Sequence, residues 1–424
     1  MNKYFLLIGI ALTPFFSYSQ KDHICINKKT QQFGSFAKYK KSSSINSKLS
    51  RLTIEADTIL TVPVVFHILH EADEPIGTGK NISDTQILNQ LKILNDDFRR
   101  KNADTINTPA IYDGIAADCK IEFKLATVTE DGNPTTGIVR VVTTEKSFNV
   151  FDNVNIGDGP EFDFMKSSST GGSDIWNPFK YLNVWVCAFD DEEPVVGYAQ
   201  FPYAFYTPQA YPGFEYDGVV IDYRTTEDIG TPSASNLNRT LTHEVGHYFG
   251  LFHISGDGDC SKDDYIDDTP TCNSLGLSRY PACSTPGDQC GDGDRMIENF
   301  LDDSNDNCLN LFTEGQKEWM REVIRDLRHE LVSDPVLTSS KENINPDLSK
   351  LISAYPNPAT NYFKINLSNE ITVERIDLLD NNGVMVDDLK TKTEKIDISS
   401  LNQGIYIIKY ITNLGTYHEK IVVQ

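Results

Sequence analysis

The 424-residue chain is short of positive charge: 38 Lys and Arg stand against 61 Asp and Glu, a formal net charge of −23. A surface this acidic repels phosphate backbones and anionic headgroups, which argues against nucleic acid or an anionic membrane as a partner. The chain also lacks long apolar runs past residue 20, so no later segment is suited to span a bilayer. Its eight cysteines lack paired CxxC spacing, which removes a zinc-ribbon reading. No repeat of fixed period is present. What remains, 39% hydrophobic and 23% charged residues, is the balance of a folded chain. At about 150 residues per domain, the length suggests two or three domains. The acidity itself suits solubility outside the cell, cation binding and basic substrates.

The first residues supply a further address. Lys3 precedes an apolar stretch from Tyr4 to Phe16, followed by Ser17-Tyr18-Ser19-Gln20. A basic start, a short apolar core and small residues before the cut read as a secretory signal over 1–19. Residues 20–55 are polar and aperiodic and read as a removable pro-segment. Cys25 lies alone in that segment; a thiolate there can occupy an open metal position and keep a zymogen latent. Five of the eight cysteines fall between 260 and 308, which in an exported chain reads as a local disulfide framework.

Ordered sequence begins near Thr58, where the run to Leu69 reads as a buried strand. Ser83-Asp84-Thr85-Gln86 is a capping box, and Ile87, Leu91, Leu94 and Phe98 recur at helical spacing, predicting a helix over 84–101. Further strands are expected at 121–126, 138–143, 181–189, 197–201 and 218–223, and another helix at 313–332. Strands alternating with a few long helices predict an α/β (α+β) domain with a mixed twisted sheet over 56–333. Pro335, Pro346 and small polar residues mark 334–350 as a linker. From 351 to 424 short alternating runs (362–367, 373–379, 395–398, 404–410, 416–423) are separated by turn signals, which predicts a small all-β sandwich.

The most informative segment is His243-Glu244-Val245-Gly246-His247-Tyr248-Phe249-Gly250-Leu251-Phe252-His253. On a helix, His243 and His247 are one turn apart and share a face. Gly250 can take a positive φ, end the helix and bring His253 back as a third ligand. Three imidazoles with an open fourth position describe a catalytic Zn2+ site rather than a structural one. Glu244 is then the candidate general base toward a water molecule. Further on, Asp257-Gly258-Asp259 and Asp263-Asp264-Tyr265-Ile266-Asp267-Asp268-Thr269 are dense in hard oxygen ligands, which suits Ca2+ as well as plain solvation.

The extended histidine pattern resembles the metzincin zinc peptidases. Its neighbours narrow the resemblance to the pappalysin family, including ulilysin-like and cytophagalysin-like members: Tyr181-Leu182-Asn183-Val184-Trp185-Val186, Gly197-Tyr198-Ala199-Gln200-Phe201-Pro202, Gly218-Val219-Val220-Ile221-Asp222, Asp267-Asp268-Thr269-Pro270, and Asn307-Cys308-Leu309-Asn310-Leu311-Phe312-Thr313-Glu314-Gly315-Gln316. The likeness covers about residues 58–330. It implies an endopeptidase with its cleft between two subdomains, and a cleft-edge strand at Gly197, Tyr198 and Ala199 onto which a peptide adds. It implies Asp306 at the base of the pocket for the residue after the scissile bond, hence cleavage before Arg or Lys. It suggests Asp263, Asp268 and Thr269 as calcium ligands. It pairs Cys260 with Cys290, and Cys308 with Cys283 or Cys272. Two positions depart from the family. Leu301 stands where the methionine of the turn beneath the zinc is expected, and Asp303 stands where a tyrosine would hydrogen-bond the intermediate.

The last segment, with Tyr355-Pro356-Asn357-Pro358-Ala359, Gly404-Ile405-Tyr406-Ile407 and Lys420-Ile421-Val422-Val423, resembles the C-terminal sorting domain of the type IX secretion system. That implies the outer-membrane secretion machinery as a partner and a secreted or cell-surface location. Two functions compete: a secreted zinc endopeptidase, which Glu244 favours, and a catalytically weak, zinc-bearing binding or adhesion protein, which Asp303 favours.

Overall fold

A computed structural model describes residues 57–150, 163–190, 195–206, 213–226, 237–273, 283, 290–291, 293–332, 352–367, 373–380, 385–390, 395–412 and 415–424. The expected signal (1–19), pro-segment with Cys25 (20–55) and linker (334–350) lie outside them. The described residues pack into two compact units that divide after Val332.

The first unit is organised by β1 (Leu60–His70), whose side chains are buried almost without interruption. Near-continuous burial of this kind belongs to a strand covered on both faces, typical of parallel sheets. β1 pairs in parallel with β2 (Ile121–Leu125) through its first half and with β3 (Ile138–Val142) through its second. It also pairs with β4 (Leu182–Cys187), which pairs in turn with β6 (Val219–Asp222). The short β5 (Gly197–Ala199) runs antiparallel to β6 and ends the order β2-β1-β4-β6-β5. One face of the sheet meets the helices around Phe66, Val184, Ile221 and Val245. The other buries Trp185, Tyr198 and Val220.

Helix α1 (Asp84–Phe98) has the expected box: the Ser83 hydroxyl accepts from the Gln86 N–H, and the Gln86 carboxamide accepts from the Ser83 N–H. It stops three residues earlier than the periodicity suggested. Arg100 is left-handed at φ 49°, and the Arg99 guanidinium is drawn to Asp118 and Glu122, partners too distant in sequence to anticipate. The last helix of this unit, α3 (Glu314–Leu327), follows the N-cap Thr313; a separate 3₁₀ turn at His329–Val332 replaces the predicted continuation.

The second unit holds two sheets, ordered β10-β9-β12-β13 and β11-β8-β7. Its strands are β7 (Ile352–Tyr355), β8 (Tyr362–Leu367), β9 (Val373–Asp380), β10 (Met385–Lys390), β11 (Ile396–Asp397), β12 (Gly404–Thr412) and β13 (Gly415–Val423). They share a core that includes Ile352, Phe363, Ile376, Ile408 and Ile421. β7 and β10 were not anticipated; Asp387 and Asp388 interrupt the apolar signal of β10.

Candidate metal centre

Helix α2 (Thr240–Tyr248) carries the histidine motif, and all nine of its residues are buried. Leu241, Val245 and Tyr248, at helical spacing, turn into the core and fix its rotation. The Thr242 hydroxyl donates to the Asp97 carboxylate of α1 (2.8 Å). At the N-cap, the Arg239 guanidinium reaches Asp97 and Asp104 and the carbonyls of Asp306 and Leu309. Gly250, at φ 86°, turns the chain out of the helix. A Cβ there would lie 2.8 Å from the Phe205 ring, so both backbone and space demand glycine.

The turn brings His253 to His243 and His247. Their Nε2 atoms lie 3.0, 3.1 and 3.2 Å from one another. Each ring is oriented through its other nitrogen. His243 Nδ1 donates to the Phe300 carbonyl (2.7 Å), His247 Nδ1 to the Leu251 carbonyl (2.6 Å), and His253 Nδ1 to the Asp257 carboxylate (2.5 Å). These acceptors fix the tautomer, so three Nε2 lone pairs point at one another. Such an arrangement is repulsive unless a cation lies among them. A tetrahedral ion bound at about 2.0–2.1 Å needs its ligand nitrogens about 3.3 Å apart, close to the spacing here. Among the described residues this is the one group of three or more His, Cys, Asp or Glu side chains placed to hold a metal ion.

The electrostatics agree. Burial works against charge on His253, but the carboxylates of Asp257, Asp303 and Glu244 outweigh it and favour a positive charge beside this ring. His247 is held well below the usual histidine range by burial and by the two neighbouring imidazoles. The surrounding acids thus draw positive charge to the site.

Glu244 is 1% exposed and borders a cavity with His243, Thr240, Asp303 and Asp306. Leu301 is fully buried beneath α2; a Cβ on Gly246 would come within 2.8 Å of its Cδ2. Asp303 Oδ1 lies 3.9 Å from His253 Nε2. Asp306 is 2% exposed, and its Oδ2 accepts the N–H groups of Leu237 (3.1 Å) and Arg239 (2.9 Å), so this pocket acid also anchors the start of α2.

Val196 O accepts from Asp222 N and Gln200 N donates to Gly218 O, toward β6. The alternation of a strand then turns the main-chain groups of Gly197 and Ala199 to the open edge. Tyr198 lies in the same strand, with its side chain on the opposite face of the sheet. Its ring faces away from α2, and its hydroxyl donates to Asp163 (2.6 Å). The loop acids also make contacts within the protein. Asp268 accepts from the Thr313 hydroxyl (2.6 Å) and from Gly315 N (2.8 Å), capping α3. The Thr269 hydroxyl donates to Asp264 (2.9 Å), a buried carboxyl raised by desolvation. Disulfides join Cys260 to Cys290 and Cys283 to Cys308, while Cys272, the alternative partner, is a buried thiol. Sequence reasoning passed over the roles of Asp257 and Arg239. Asp257 is four residues past His253, in the αL region at φ 56°; nothing in an acidic loop marks it.

Residues 166–325 match the peptidase family described as pregnancy-associated plasma protein-A, and residues 353–424 match the secretion system C-terminal sorting domain. Extracellular metalloprotease 1 of Coccidioides posadasii is 28% identical over 273 residues, 63% of this chain and 78% of its own. Promirolysin of Tannerella forsythia, solved as a mutant, is 35% identical with a TM-score of 0.59, over 72% of this chain and 93% of that one. Mature mirolysin of the same organism, solved with a cleaved peptide, has a TM-score of 0.55 and covers 66% of this chain. The sorting domain and the extracellular relatives put the protein outside the cell, secreted or at its surface. With 38% identity to mature mirolysin across 97% of that enzyme's length, this chain belongs to the pappalysin family of zinc metallopeptidases.

Proposed function

We propose that the protein is an endopeptidase that cleaves before Arg or Lys, with Glu244 as general base. The carrying observation is the convergence of three Nε2 atoms, 3.0–3.2 Å apart, beside a buried glutamate. Zinc held by His243, His247 and His253 would supply Lewis acidity and lower the pKa of water. The chain's own residues do the rest. The open edge of β5, at Gly197 and Ala199, receives an extended peptide through main-chain hydrogen bonds. Glu244 takes a proton from the attacking water and returns it to the leaving amine. Asp306 attracts a basic side chain into the cavity, helped by Asp302 and Asp303 nearby.

The solved pro-form of mirolysin supports reading residues 20–55 as a pro-segment; within it Cys25 is proposed as the latency switch, its thiolate taking the open metal position. For calcium, the proposal is Asp263, Asp268 and Thr269, beside the buried carboxyl of Asp264, to which the Thr269 hydroxyl donates. A hard cation there would relieve the repulsion between the carboxylates.

One observation favours the second reading, a weakly catalytic binding protein. Asp303 faces the imidazoles with a carboxylate, which repels a developing oxyanion. The test is cleavage of an Arg-containing peptide library by the mature protein, with and without a zinc chelator, alongside Glu244→Gln. Chelator-sensitive cuts before Arg or Lys that vanish in the variant support the proposal. Stoichiometric zinc with no cleavage supports the binding reading.

A further inference from the structure

We infer that Gly197 is a positioning residue for Glu244: the cleft-edge strand is bare at this point because the glutamate side chain rests against it. A Cβ built on Gly197 would lie 2.8 Å from Glu244 Oε1, 3.0 Å from Glu244 Cγ and 2.8 Å from Thr240 Cγ2. Contacts that short are repulsive, so an added methyl and the present carboxylate position exclude each other. The backbone offers no competing reason for glycine. Gly218 and Gly250 have positive φ, of 135° and 86°, whereas Gly197 lies outside that region, in an ordinary strand between Val196 and Tyr198. Any residue could adopt its conformation; only the space beside Glu244 and Thr240 forbids one.

The two partners differ in freedom. Gly197 is held by its pairing with Ile221 of β6, and the glutamate backbone by a helix buried along its whole length. The carboxylate is the softest member of the contact, so an alanine displaces it while the fold stays. The main-chain groups at the strand's open edge are untouched by a methyl, so peptide binding survives. This inference rests on the general-base reading of Glu244, and it gives the glycine a second role beyond pairing with a peptide.

The experiment uses purified mature protein and the variants Gly197→Ala, Glu244→Ala and their combination. Gly197→Ala should lose about 10²-fold in kcat, the cost of roughly 1 Å of misplacement, with KM and zinc content changed less than threefold. In the Glu244→Ala background the same substitution should leave the residual rate unchanged and lower Tm less than it does in the native protein, since only the contact with Thr240 Cγ2 remains. A crystal structure of Gly197→Ala should show the carboxylate displaced and the imidazole trio in place. A rise in KM at constant kcat, or equal multiplicative losses in both backgrounds, would overturn the inference. If Gly197→Ala folds poorly, a smaller loss of Tm and zinc on adding it to the Glu244→Ala background than to the native protein supports the contact, and an equal loss refutes it. Full cleavage by Glu244→Gln would instead remove the general-base reading, while the Tm comparison would still measure the contact.

Discussion

Leu301 offers a direct test of what the floor of the metal centre requires. It is fully buried, packs against Gly246 of α2, and its carbonyl accepts from Ile254 N (3.2 Å), next to His253. If the position needs only apolar volume, Leu301→Met should cost less than about 1.5 kcal/mol, because the two side chains are similar in size. Leu301→Ala should cost about 2–5 kcal/mol, the range for a buried leucine whose surroundings collapse incompletely. At about 2 °C per kcal/mol for a unit of this size, those values become a Tm change under about 3 °C for methionine and a fall of about 4–10 °C for alanine. Differential scanning calorimetry, zinc analysis and kcat/KM on one peptide measure all three consequences. Methionine should leave kcat/KM within threefold, and alanine should lower both Tm and zinc retention. A gain of tenfold or more with methionine would refute the reasoning, since it would show that sulfur supplies something volume does not.

Other substitutions probe separate parts of the molecule. Asp306→Asn should reduce discrimination between Arg and Leu after the scissile bond by about 10–100-fold, the worth of a hydrogen bond to a charged group; an unchanged ratio in matched peptides would show that another acid reads the side chain. His67, buried between Ser173 and Asn183, is lowered by desolvation to about 4 from an ordinary 6.5. Its folded pKa lies below its unfolded one, so the native state forgoes a proton that the unfolded chain takes up. Stability is full above pH 6.5 and falls by about 3 kcal/mol as pH drops toward 4. Tm against pH should therefore decline less steeply in His67→Gln, and parallel curves would discard this linkage. Stripping zinc from the mature protein should lower Tm, by an amount equivalent to about 4 kcal/mol when free zinc had been at 1,000 times its Kd. A Tm indifferent to zinc would contradict the ligand assignment.

The imidazole trio was legible because its geometry is local. Two histidines four apart share a helix face, and one glycine of positive φ returns the third within six residues of the second. The buried run of β1 and the capping boxes of α1 and α3 were legible for the same reason. What escaped depends on residues far apart in the chain. Arg239 reads as one cation in a polar stretch, yet its partners are residues 97, 104, 306 and 309. The direction of the Tyr198 ring follows from which neighbour β5 pairs with, a fact that no three-residue strand reveals. Gly197 looked like part of a cleft-edge motif; the reason for its missing side chain became visible only with Glu244 beside it.

The manner in which the three ligand rings are steered has a consequence for how the centre can evolve. His243 and His247 lean on main-chain oxygens, which every amino acid carries, so replacing Phe300 or Leu251 does not by itself delete either acceptor. His253 alone leans on a side chain. The orientation of the ligand rings is therefore protected against side-chain mutation at two corners of the triangle and adjustable at the third, through Asp257 alone.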